Sequence, residues 1–234
     1  MTFSLGANSL LIGILNSGAF VLQAIALKTV DSSRTAFLSG MNVVMVPLLL
    51  PFFAMGKPKV IEMIGALICL AGIYLISDAN LSEFDLGDLM VIASAVCVAI
   101  GIIIAEKASL VSHNLALLTF YQIIFTCLVP IVVLGKNSFE LPDSQLFWWS
   151  AVYCALMATV IPLFLQLKYQ KYVGSSKIAI IFSLEALTAT LCAWLMGEKV
   201  TLNVLVGGGL ILLSALISDI WNLTFGKATP HRIV

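Results

Sequence analysis

Residues 166–199 read QLKYQKYVGSSKIAIIFSLEALTATLCAWLMGEK, and this stretch decides how the rest of the chain is to be read. A basic, serine-containing turn (Lys168, Lys171, Ser175, Ser176, Lys177) precedes an apolar run, and that run carries Glu185 where hydrocarbon is expected. No neighbour in sequence neutralises this acid, so either another helix supplies a partner or the carboxyl faces a wet cavity. The stretch also has an echo. A shift of about 143 residues lays Leu22, Gln23, Lys28, Val30, Ser32, Ser33, Arg34 and Ala36 on Leu165, Gln166, Lys171, Val173, Ser175, Ser176, Lys177 and Ala179, without a gap. The same shift lays Gly65, Ala66, Leu67 and Ile68 on Gly208, Gly209, Leu210 and Ile211. Two patches matching at one offset mark an internal repeat.

Composition says what kind of repeat it can be. Apolar residues make up 61% of the 234 and charged residues 10%, with a mean hydropathy of +1.09, against roughly half and a quarter for a soluble domain. At about 20 residues per crossing, most of the chain lies in a bilayer as α-helices, because helices satisfy their own backbone in lipid. Strand-type alternation is absent, which excludes a barrel. The net charge is zero and no basic block occurs, so nucleic acid is excluded as a partner. Cys69, Cys97, Cys127, Cys154 and Cys192 stand singly in apolar runs and read as small core residues; the sequence implies no metal and no cofactor.

In chain order, apolar segments at about 6–27, 35–55, 61–77, 89–105, 115–134, 148–166, 178–196 and 202–220 predict eight transmembrane helices. The first is too long for a signal-peptide core and lacks its basic flank. Asn42, Pro47 and Pro51 interrupt the second, and such prolines mark a hinge, a cavity wall or a plain packing kink. The sixth opens on Trp148 and Trp149, placed as interfacial anchors. Gly207, Gly208 and Gly209 in the eighth allow a second backbone to approach closely, without a strict G-x-x-x-G.

Eight crossings put both termini on one side. That side collects Lys57, Lys59, Lys107, Lys168, Lys171, Lys177, Lys227 and Arg232, and the other Lys28, Arg34, Lys136 and Lys199, which predicts cytoplasmic termini. Spans one to three match spans six to eight, a displacement of five crossings, so the second copy is inverted in the membrane. The expected architecture is an all-α polytopic membrane protein with an inverted-topology repeat, a solute site lying near the midplane between the halves. Residues 1–85 would form a first, three-helix repeat and 86–234 a second, five-helix one, an incomplete 3+5 form of a 5+5 bundle with two helices missing before Met1.

Four stretches carry a resemblance to a known family: ALKTVDSSRTAFLSGMNVVMVPLL (residues 26–49), GALICLAGIYLIS (65–77), LTFYQIIFT (118–126) and the run 166–199. In this order and spacing the chain resembles the EamA-type members of the drug/metabolite transporter superfamily, whose pattern usually reads S-L-E-P where this chain has Ser183, Leu184, Glu185 and Ala186. The resemblance implies ten helices in two inverted five-helix repeats, a bacterial inner-membrane location and export of amino acids, metabolites or drugs.

Glu185 leads the candidate substrate-binding residues: it would bind a cationic part of a solute or take up a coupling proton, while a bond to a neighbouring helix explains it equally. A charged carboxylate at mid-span costs roughly 2.5–3.5 kcal/mol. Tyr121 and Gln122 offer a ring face and an amide to a solute, and Asn42 and Ser183 complete the set; interhelical hydrogen bonding accounts for Gln122 and Asn42 as well. Gln23 and Gln166, related by the repeat, read as structural residues near helix ends. His113 and Glu198 read as solvated, and Trp194 as packing. No H-E-x-x-H, G-x-S-x-G, P-loop or G-x-G-x-x-G occurs, and both histidines fall outside the spans, so an enzyme is not expected. The reading is a carrier of a small organic solute working by alternating access in the lipid bilayer, with proton coupling and a homodimer left open. The alternative is a truncated, non-transporting membrane protein or a partner subunit of a full-length carrier.

Overall fold

A computed structural model describes residues 2–77, 84–112, 114–134, 143–195 and 201–225. Glu83, His113, Lys136, Glu198, Lys199 and His231 lie outside them, as do the side chains of Cys192 and Trp194. The described residues form eight helical passages: α1 (Thr2–Ala26); α2 (Ser32–Gly40) with α3 (Asn42–Leu49); α4 (Val60–Ser77); α5 (Leu86–Val111); α6 (Leu115–Leu134); α7 (Gln145–Tyr153) with α8 (Ile161–Val173); α9 (Ser175–Leu195); and α10 (Leu202–Phe225). Six passages are long and apolar enough to cross a membrane, and Leu202–Ile217 adds a shorter apolar helix.

Two passages are broken, each near a proline. The second parts at Met41 between α2 and α3, six residues ahead of Pro47, whose missing N–H and ring disturb the ladder at the Val43 carbonyl. It then tightens into a 3-10 turn, Leu50–Phe53, that contains Pro51 and ends on Ala54 in the left-handed region. The sixth passage widens into a π-helical turn, Cys154–Val160, just before Pro162, and the Thr159 hydroxyl donates to the Cys154 carbonyl at 3.1 Å. Prolines and π turns are the usual causes of kinks.

α5 is the spine. It contributes to all three apolar clusters: Ala99, Ile102 and Ile103 join Val43, Val46, Cys69, Ile178 and Ile211; Ile104, Ala105 and Ala108 join Ile12, Leu118 and Leu167; Val91 joins Ala26 and Leu38. Some 56% of its apolar window is buried, against 11% for residues 145–173, which therefore form the rim. α1 lies along α5 and α6, and α4 along α10.

The α4–α10 pair is antiparallel and close. A Cβ on Gly72 would meet the Gly207 carbonyl oxygen at 2.7 Å, one on Gly207 would meet the Gly72 oxygen at 2.6 Å, and one on Gly65 would meet the Ser214 oxygen at 3.5 Å. Two backbones approach this closely only over bare α-carbons. These two helices are the repeat-related ones, and they run in opposite directions, as an inverted repeat requires.

Candidate functional site

Two polar seams run through the bundle, and charged residues close its two ends. The first seam lies between α1, α5 and α6. Gly13 brings α1 against α6, where a Cβ would meet Phe125 Cβ at 2.5 Å and the Gln122 carbonyl oxygen at 2.9 Å. One turn earlier the Ser9 hydroxyl donates to the Leu118 carbonyl at 3.4 Å, and one turn later Asn16 lies against Gly101 of α5. Within this seam the Gln122 amide oxygen and the Ser17 hydroxyl are buried and accept or donate no hydrogen bond among the described residues. Gln122 is 2% exposed, and an unmet buried acceptor costs about 1–3 kcal/mol. Its helix neighbour Tyr121 turns outward, stacking on Phe125 with ring centroids 6.4 Å apart.

The second seam joins α4, α9 and α10. The Cys69 thiol donates to Ser183 Oγ at 2.9 Å, with Ser214 beside the same sulfur, and the Ser183 hydroxyl donates to the Ile180 carbonyl. Glu185, two residues on and so roughly 200° round the helix, is exposed. It shares with Ile181 and Thr188 an exposed stripe of α9, and the Thr188 hydroxyl donates to its carbonyl at 2.9 Å. Asn42 begins α3 at the bend, half-buried, on a helix that packs against α9. Gln122 thus belongs to one seam and Ser183 to the other, with Asn42 on α3 beside α9, while Tyr121 and Glu185 lie on exposed faces of α6 and α9.

Sequence reasoning passed over the residues that close the ends. At one end, Arg34 at the start of α2 donates to Asp88 at the start of α5 at 2.6 Å; the Asp88 side chain is fully buried and that of Arg34 only 15% exposed. Asp88 also accepts the Asp85 N–H at 2.8 Å, and Asp85 accepts the Asp88 N–H at 2.9 Å, a reciprocal cap for α5. At the other end, Glu106 in the last turns of α5 accepts the backbone N–H of Ser175 at 2.7 Å and the Ser175 hydroxyl. A carboxylate there meets both a free N–H and the positive end of the α9 dipole. Buried Gln170 extends the network, donating to the Ile102 carbonyl at 2.6 Å and Ser175 Oγ at 3.2 Å, and it accepts from Gln166 at 3.1 Å. Gln166 is therefore structural. The signal for these contacts was present in the repeated serine turns and in the acids at either end of one long helix.

Comparison with known proteins adds a family. The model of the EamA-like transporter family matches residues 4–78 and 85–218. A curated relative from Archaeoglobus fulgidus (strain ATCC 49558), described as an "Uncharacterized transporter", is 27% identical over 214 residues, which cover 88% of this chain. The chain spans 66% of that relative's length, just under two thirds. A solved structure described as "Crystal structure of protein" superposes over 95% of this chain and 88% of its own with a TM-score of 0.76; at 14% identity this likeness is one of fold alone.

Proposed function

This chain belongs to the EamA-like transporter family, a multi-pass membrane transporter family, and from that premise we propose that it carries a small organic solute, an amino acid, metabolite or drug, by alternating access. Two repeats, 1–85 and 86–234, would rock about α5; the two separate family matches, 4–78 and 85–218, support that division.

The observation that carries this reading is the fixing of the two repeat-related serine turns to opposite ends of one helix, the first through Arg34 and Asp88, the second through Ser175 and Glu106. Alternating access needs two closures, one at each membrane face, that open in turn. Hydrogen bonds to charged side chains are strong enough to hold a face shut and few enough to be exchanged. The solute would sit between the seams, meeting the unmet amide oxygen of Gln122 on one side and Ser183 and Asn42 on the other, while Glu185, on the face of α9 opposite Ser183, would act from outside that site. Glu185 would take a cationic group or a coupling proton. The lysines at the Glu106 end support placing that end, with both termini, in the cytoplasm of a bacterial inner membrane.

The test is flux across proteoliposomes loaded with a panel of amino acids and small metabolites, with the intact chain, its Glu185→Gln variant and empty vesicles compared. Flux above empty vesicles that falls in the variant upholds the carrier; no flux for any solute ends it. One observation favours a second reading, a partner subunit that completes a larger carrier: the stripe of α9 through Ile181, Glu185 and Thr188 is exposed among the described residues. A homodimer would be its simplest form, and cross-linking from that stripe distinguishes it.

A further inference from the structure

The outer face of α8 carries a pattern that transport does not use. Ile161 and Leu165 are each 43% exposed, Tyr169 49% and Tyr172 60%, with Lys168 exposed on the same stripe. The opposite face, Gln166, Leu167 and Gln170, is buried against the bundle. Along the stripe, apolar side chains give way within two turns to lysines and tyrosines. The Lys168 ammonium stands 5.3 Å from the Tyr169 ring centroid and that of Lys171 5.0 Å from the Tyr172 ring. Neither lysine forms an ion pair among the described residues. Glu106, which holds the turn that follows α8, faces inward to Ser175. Two cations three residues apart lie on one helix face, beside rings whose hydroxyls suit the headgroup level.

We propose that the end of α8 binds the headgroup of an anionic phospholipid, the phosphate between Lys168 and Lys171, the tyrosines flanking it and an acyl chain lying along Leu165 and Ile161. The charge complementarity is local: an ammonium is a compact point charge suited to phosphate, and a zwitterionic headgroup brings its own cation to compete. The inference requires only that the chain lie in a membrane and is independent of which solute it carries.

The experiment titrates the purified full chain in detergent with dioleoylphosphatidylglycerol or dioleoylphosphatidylcholine and reads lipid occupancy by native mass spectrometry. The intact chain is expected to prefer phosphatidylglycerol, and Lys168→Gln/Lys171→Gln to bind it about thirtyfold more weakly, the effect of two surface cations. Lys57→Gln/Lys59→Gln loses the same charge elsewhere and should keep the preference. Tyr169→Leu/Tyr172→Leu retains the charge and should weaken binding by less. Equal binding of the two lipids by the intact chain overturns the proposal. So does equal weakening in the two lysine pairs, which would mean diffuse charge, or full competition by soluble glycerol 3-phosphate, which would mean a free-phosphate site.

Discussion

Asp88 and Glu106 stand near opposite ends of α5, about 27 Å apart along its axis at 1.5 Å per residue, and each holds one copy of the repeated serine turn. That separation is close to the hydrocarbon thickness of about 30 Å. The two turns should therefore emerge on opposite membrane faces. Lys28→Cys and Tyr172→Cys, both at exposed positions, are expected to react with a membrane-impermeant maleimide from opposite sides of sealed vesicles. Labelling of both from one side would remove the inverted repeat.

The Arg34–Asp88 pair predicts a characteristic pattern of stability. Breaking a buried pair by removing one partner costs about 3–5 kcal/mol, because the other charge is left uncompensated. With Arg34 part-exposed the lower end applies, so Arg34→Met should lower the thermal midpoint of the detergent-solubilised protein markedly. Arg34→Met/Asp88→Asn should recover much of that loss, since the amide oxygen still accepts the Asp85 N–H while both charges are gone. A double variant as unstable as the single would show that the ion pair is not what fixes α2 to α5.

Close packing of α4 on α10 gives a second test of stability. At Gly72 and Gly207 an added Cβ meets backbone oxygen at 2.7 and 2.6 Å, and backbone cannot swing aside. Gly72→Ala and Gly207→Ala should each cost about 1–3 kcal/mol through the forced shift of a packed helix. Gly18 of α1 has nothing within 4 Å of such a Cβ, so Gly18→Ala should be neutral or gain up to about 1 kcal/mol from helix propensity. The same thermal midpoint reads all three, and equal effects would dissolve the distinction.

Much of this architecture was legible in the sequence because lipid is a severe filter. Eight apolar runs had to be helices, and the offset joining Ser32 to Ser175 and Gly65 to Gly208 gave the relation between them. What stayed hidden is what helices do to one another. Nothing in the composition distinguishes Asp88, fully buried beneath Arg34, from Asp85, the exposed cap three residues before it. Ser183 and Glu185 looked like neighbours in one site, yet an intervening residue turns them to nearly opposite faces of α9. An interruption of the second passage followed in kind from Pro47 and Pro51, while the π turn at Cys154–Val160, just before Pro162, was not expected, and the choice of a 3-10 or a π turn depends on packing that no local pattern records.

Gln122 offers the sharpest separation of a binding role from a structural one. If its amide served only to join helices, its oxygen would be bonded within the bundle, and Gln122→Leu would lose a hydrogen bond and destabilise the protein. Its oxygen instead meets nothing among the described residues, so a leucine of similar length removes a desolvation penalty of about 1–3 kcal/mol. The expected outcome is a protein at least as stable as the original, by thermal midpoint, that moves its solute at least tenfold more slowly, the amide's contact with the solute being worth about 1.4 kcal/mol or more. A Gln122→Leu protein that is less stable and transports normally would assign the amide to the scaffold and move the search for the solute to the α9 seam, where Ser183→Ala would then carry the test.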